Sequence, residues 1–313
     1  MLSRNADSLY WTGRFVERAD YLARILEAAS RLSTLPSSSG EPGNPWDSAL
    51  QSAGAADAFA AAHGGAPDET SVREFLAFDR DHPSSIAACL QAARSNARSV
   101  RTHLTIELWE AINVAWNQLN DRPAPRDREE FGAFLDWAKK VSLAFDGAAQ
   151  RSMLRGDSYD FLRLGTELER ADNTARLLDV KYHLLLPAGE PVGGSLDYFQ
   201  WTTLLREVSA LNAYRWVYRQ SLKPWLVADL LILNRRMPRS LASCQRMIVS
   251  HLDGLADAYG RQGESQRLAS TLLHELTDAR IDDIFQSGLH EFIGDFLARN
   301  NRLGRAVTEQ YLA

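Results

Sequence analysis

Hydrophobic and polar positions recur with a helical period along almost the whole chain. From Ser3 to Leu32, Phe15, Val16, Ala19, Leu22, Ala23 and Leu26 share one arc at ~100° per residue, and Tyr10, Arg14, Glu17, Tyr21 and Arg24 the opposite one. This predicts an amphipathic helix capped by Ser3 and ended before Pro36. Residues 36–70 are rich in Pro, Gly, Ser and Ala, with a short helix at Trp46 and Leu50 and an end marked by His63, Gly64 and Gly65. Between Pro83 and Asn120, Leu90, Ala93, Ala97, Leu104, Leu108, Ala111, Ala115 and Leu119 form a stripe that predicts one long helix. Further helices are predicted over 126–154, from Gly156 and Asp157 to Pro187, and, beyond a linker at 189–194, over 196–220, 225–234, 238–259 and 266–312. No segment alternates like a strand. The expectation is an all-α multi-helix bundle of about ten helices, in two parts, 1–187 and 195–313, packed as one continuous unit.

The helical pattern also repeats itself. GRFVERADYLARILEAA, starting at Gly13, returns as GTELERADNTARLLDVK, starting at Gly165, with eight identities at an offset of 152. Composition alone gives roughly one or two, so the pattern points to an internal pseudo-two-fold duplication. Each copy places a Glu-Arg dipeptide, Glu17–Arg18 and Glu169–Arg170, within the word ERAD.

Composition narrows the setting. Lys and Arg number 35 against 40 Asp and Glu, a net charge of -5 and the wrong sign for a general nucleic-acid binder. Cys89 and Cys244 are far apart and outside any CxxC spacing, which fits small core residues in a reducing compartment. No apolar run reaches the ~20 residues of a membrane span, and the N-terminus has no apolar leader core, so a cytoplasmic protein is expected.

The candidate chemistry is ionic. Glu17, Asp20 and Arg24 share a helix face, as do Glu169, Asp172 and Arg176, and simple i,i+4 pairing accounts for Asp and Arg but not for the two glutamates. If the ERAD helices pair, Arg94, Arg98 and Arg101 can reach Glu17 and Glu169 and complete a semi-buried seam with Arg18, Arg24, Arg170 and Arg176. Such a seam either binds a phosphate or carboxylate or fixes helix register, and both readings are open. In NRRMPRS, Pro238 stands at a helix start with Arg235, Arg236 and Arg239 around it, which reads either as an ordinary interhelix turn or as a terminus whose free amides attract anions. Arg239 becomes an anion-binding candidate only through the resemblance of this segment to a known family. Metal binding is not expected. Glu107 and Glu110 add a third i,i+3 carboxylate pair, but no histidine follows a glutamate by three residues and arginines compete for the acids. Trp11, Trp109 and Trp116 read as packing anchors, and Gly13 and Gly165 as sites of close helix approach.

Four segments together, LSRNADSLYWTGRFVERADYLARIL, ARSNARSVRTHLTIELWEAIN, LRLGTELERADNTARLLDV and NRRMPRSL, resemble the alpha-E domain family from the N-terminus to at least Leu241. The resemblance implies an all-helical bacterial protein associated with circularly permuted ATP-grasp ligases and transglutaminase-like proteins, a setting of peptide or amide-bond chemistry. No cofactor is expected. The first functional reading is therefore a helical partner or co-catalytic subunit of an ATP-grasp-centred system, holding an anionic or peptide substrate in the Glu/Arg seam. The alternatives are a stand-alone ligase or transferase with Glu17 or Glu169 as general base, and a purely structural scaffold.

Overall fold

A computed structural model describes residues 1–34, 44–183 and 194–312. Among them it contains only helices. The predicted helix end at Pro187 and most of the 189–194 linker lie outside the described residues.

The central element is α1 (Ser3–Leu32), which begins at Ser3 rather than being capped by it. It is followed by α2 (Pro45–Ala53), α3 (Ala56–His63), α4 (Glu69–Arg73) with a π-helical turn to Phe78, α5 (Ile86–Ser99), α6 (Ile106–Asp121) and α7 (Arg128–Ser152). After α7 come α8 (Asp157–His183), α9 (Ser195–Glu207), α10 (Leu211–Tyr218), α11 (Pro224–Ile232), α12 (Leu241–Tyr259), α13 (Glu264–Asp278), α14 (Ile281–Ser287) and α15 (Leu289–Val307).

There are fifteen α-helices among the described residues rather than about ten, because several long periodic stretches are cut. The stretch 83–120 breaks after Ser99. Ser99 Oγ there donates to the Asn96 carbonyl at 2.7 Å, the β-branched Val100 and Thr102 follow, and Thr105 caps a new helix by accepting from Leu108 N at 3.3 Å. The stretch 196–220 is cut at Ser209, in the left-handed region at φ 56°, and 266–312 is cut at the extended Ala279 and at Gly288, φ 102°. Ser240, not Pro238, opens α12, through a hydrogen bond from Ser243 N at 3.0 Å.

Two buried apolar clusters hold these helices, and each draws on residues before 187 and after 195. Along α1 one takes Leu9, Tyr10 and Val16 and the other Leu22, Ala23 and Leu26; along α8 the same division separates Leu162 and Leu168 from Ala175 and Leu178. Glu17, Asp20, Glu169 and Asp172 lie between the two. The expectation of one apolar and one polar face on α1 is overturned, since Tyr10, Glu17, Tyr21 and Arg24 are buried as well. A helix enclosed on all sides must pair its charges internally.

Candidate functional site

The site begins with two glycines. A Cβ on Gly13 would lie 2.2 Å from the Leu162 carbonyl oxygen, and one on Gly165 would lie 2.0 Å from that of Tyr10. Only glycine lets the backbones of α1 and α8 approach so closely, as the sequence suggested. The approach puts each ERAD segment against the other.

The contacts across this approach are reciprocal. Arg18 grips Glu169 with Nε at 2.6 Å and Nη2 at 3.1 Å, while Arg170 Nη2 reaches Glu17 at 2.7 Å. Each glutamate has a second arginine: Arg14 Nε at 2.7 Å from Glu169, and Arg239 Nη1 at 2.6 Å from Glu17. Arg239 also holds Asp20 at 2.7 Å, which Arg24 clasps through Nε and Nη2. Behind Arg170 the network continues to Glu167, Asp146 and Arg163.

Burial tends to raise both glutamate carboxyls, but the arginines outweigh it. Arg170 and Arg239 hold Glu17 well below the usual carboxylate range, and Arg18 and Arg14 bring Glu169 down to about 2. Both acids are therefore ionised, and all four of their oxygens accept from arginine. Asp172 behaves differently. Burial raises its carboxyl, and Arg176, at 2.6 Å through Nε, does not bring it back.

Several expectations about the seam are corrected. Arg94 pairs with Asn113 at 3.0 Å and lies over Trp116, Arg98 is exposed, and Arg101 is exposed over Trp109, in a 3-10 turn beyond the end of α5. None reaches Glu17 or Glu169, because α5 turns Ala93 and Ala97 inward instead. Glu107 and Glu110 are exposed too, and no group of three or more metal-ligating side chains occurs among the described residues. Arg239 is not an arginine at an open helix terminus, since Ser240 takes the cap and Arg239 turns into the seam.

A family model described as a predicted alpha-helical domain with a conserved ER motif matches residues 1–312. The chain belongs to the Alpha-E family. In this Alpha-E protein the ER pair occurs at Glu17–Arg18 and Glu169–Arg170, and the glutamate of each pairs with the arginine of the other. Two mycobacterial relatives, from Mycobacterium bovis and Mycobacterium tuberculosis and both named only as uncharacterized, are 23% identical over 94% of this chain. The chain spans about a third of their length, 35%. No solved structure matches.

Arg14, Ser84 and Asn173 also belong to the site, although none of them is a site candidate by sequence. Arg14 stands one turn before Arg18, so both reach the same acid. For Ser84 the signal was a second repeat, PSSIAAC at 83–89 against PRSLASC at 238–244, offset by 155. Ser85 and Ser240 cap the helices that follow, and Cys89 and Cys244 point back at the carbonyls of Pro83 and Pro238. This places Ser84 in the position of Arg239. Nothing in the sequence singled out Asn173.

Beside Ser84 is a cavity of ≈190 Å³, lined by Arg18, Ser84, Glu169, Asp172, Asn173 and Arg176 among others. Asp172 Oδ1 and Asn173 Nδ2 are buried without a partner among the described residues. Their side chains are hydrogen-bonding groups taken out of water, at a typical cost of about 1–3 kcal/mol each when unsatisfied.

Proposed function

We propose that this Alpha-E protein is a binding subunit, non-catalytic or co-catalytic, in a peptide- or amide-bond-forming system, with an anionic or peptide substrate held on the Glu169 side of the seam. The observation that carries this reading is that the two sides of one ion cluster are built alike, yet only the Glu17 side is closed. Arg239 fills it, while the Glu169 side adjoins the cavity.

The same geometry weighs against a general base. A base works best with a pKa near the operating pH, and a carboxylate held near 2 with both oxygens occupied has little affinity for a substrate proton. A purely structural scaffold accounts for Glu17 and Asp20. It does not account for Asp172 Oδ1 and Asn173 Nδ2.

We also read the chain as two copies, α1–α7 and α8–α15, in place of a division near residue 190. Support comes from pairs of positions 155 apart: Gly54 and Ser209 at φ 63° and 56°, and the helix-ending residues Gly64 and Arg219 at 61° and 52°. The turns before α5 and α12 match as well, with Asp79 accepting from Asp81 N and Asn234 from Arg236 N, both at 2.9 Å.

The partner is a circularly permuted ATP-grasp ligase, or secondarily a transglutaminase-like protein, as the family resemblance implies. The test is co-purification with such a ligase and measurement of its turnover with and without this chain. Turnover should depend on the chain and fall with Asp172→Asn while surviving Arg101→Ala. Ligase turnover indifferent to the chain would overturn the partnership.

A further inference from the structure

The two copies differ at one position in a way that suggests what the cavity accepts. Where Arg239 reaches Asp20 Oδ2 and Glu17, the corresponding Ser84 stops short and meets only Arg18 Nη1, at 3.4 Å. Arg14 takes over the contact to Glu169. What remains unmet is the second contact, a cationic donor for Asp172.

The charge balance decides against a simple cation. Glu169 and Asp172 face Arg14, Arg18 and Arg176, two negative charges against three positive, so this side already carries one excess positive charge. A lone cation would make it two. A lone anion suits Arg18, Arg176 and the Asn173 amide but faces the Asp172 carboxylate, whose Oδ1 stays unpaired. A ligand carrying both charges satisfies every group and leaves the balance unchanged.

We infer that this cavity binds a small zwitterion of the α-amino-acid class, its ammonium on Asp172 Oδ1 and its carboxylate between Arg18, Arg176 and Asn173 Nδ2. The size agrees. A volume of ≈190 Å³ corresponds to about six water molecules at ~30 Å³ each, enough for alanine or serine. Glu169, at 3% exposed, fixes Arg18 from behind, while Asp172 and Asn173, at 7% and 5%, line the cavity and need a small turn of their side chains to present Oδ1 and Nδ2 to the ligand. The raised Asp172 carboxyl fits the same picture, because an ammonium at Oδ1 would favour its ionised form. The inference rests on the reading of the Glu169 side as the ligand site, and not on which partner the protein serves.

The test is calorimetric titration of the full chain with L-alanine and L-serine, against propionate, which lacks the amine, and ethylamine, which lacks the carboxylate. Saturable binding of the amino acids is expected, with both controls at least tenfold weaker. Asp172→Asn should weaken amino-acid binding at least tenfold while the unfolding midpoint stays near that of wild type. Ser84→Arg, which places a guanidinium where Arg239 lies in the other copy, should abolish binding in a folded protein. Propionate binding as well as alanine, alanine binding unaltered by both substitutions, or no binding at millimolar concentration would each overturn the inference. Ligase dependence without amino-acid binding would sink this inference alone, and binding without ligase dependence would sink only the partnership.

Discussion

The Glu17 and Glu169 sides of the seam use the same residue types and reach different ends. On the Glu17 side three arginines converge on two acids, and one of them, Arg239, bonds both. On the Glu169 side Arg14 and Arg18 both serve the glutamate, and Asp172 keeps only its neighbour one turn away. One side is a closed lock and the other a lock with room beside it. On the proposed reading, one buried ion cluster is structural on one side and ligand-binding on the other, and the position that distinguishes them is Arg239 against Ser84.

The largest effect should come from opening the closed side. Arg239→Ala leaves Glu17 and Asp20 each short of a cation in a buried setting, and removing one member of such a pair costs about 3–5 kcal/mol. Denaturant titration should show that loss. A loss below about 1 kcal/mol would mean that the Glu17 side is not a lock.

A stabilising change of similar size is expected next to it. The Glu207 backbone carbonyl accepts from Arg24, but its carboxyl Oε1 is buried and unpaired, and burial, with Glu27 nearby, pushes that carboxyl up to about 8. A carboxyl raised in the folded state binds its proton more tightly than the unfolded chain does, so stability is lost as pH rises from about 4.5 towards 8. At ~1.4 kcal/mol per pH unit, Glu207→Gln should gain about 3 kcal/mol at pH 7 and flatten the profile over that window. Parallel wild-type and variant profiles would refute the assignment.

The close approach that both sides share should cost less to disturb. Gly165→Ala sets a methyl group against the Tyr10 carbonyl and must push α1 from α8, a loss of about 1–3 kcal/mol by chemical denaturation. At the far end of the scale, Arg101→Ala, outside the seam, should stay within about 0.5 kcal/mol.

Much of this was legible in the sequence, and the reasons for the rest are physical. Helical periodicity marked the class, because apolar residues recur wherever a helix meets a core, and the ERAD echo marked α1 and α8 as the helices that meet. Periodicity could not show that α1 is buried all round, since Glu17 and Arg24 look like surface residues until their partners are known. It also ran through the breaks at Ser99, Ser209 and Ala279, because backbone turns between packed helices leave the apolar repeat intact. Arg94, Arg98 and Arg101 were attractive as a basic row, yet they fall on the outward side or beyond the end of α5. Arg239 entered through a family-like segment, and its true contacts needed the fold that brings residue 239 to residues 17 and 20.

The most direct test of the difference between the two sides is the unfolding free energy of Asp20→Asn and Asp172→Asn, measured side by side at neutral pH. These aspartates are 152 positions apart, both buried, and each pairs with an arginine one turn on. Asp20→Asn should lose about 3 kcal/mol or more, and Asp172→Asn should stay within about 1 kcal/mol of wild type or gain stability. Equal losses, or the larger loss at Asp172, would contradict a closed side and a ligand-receiving side.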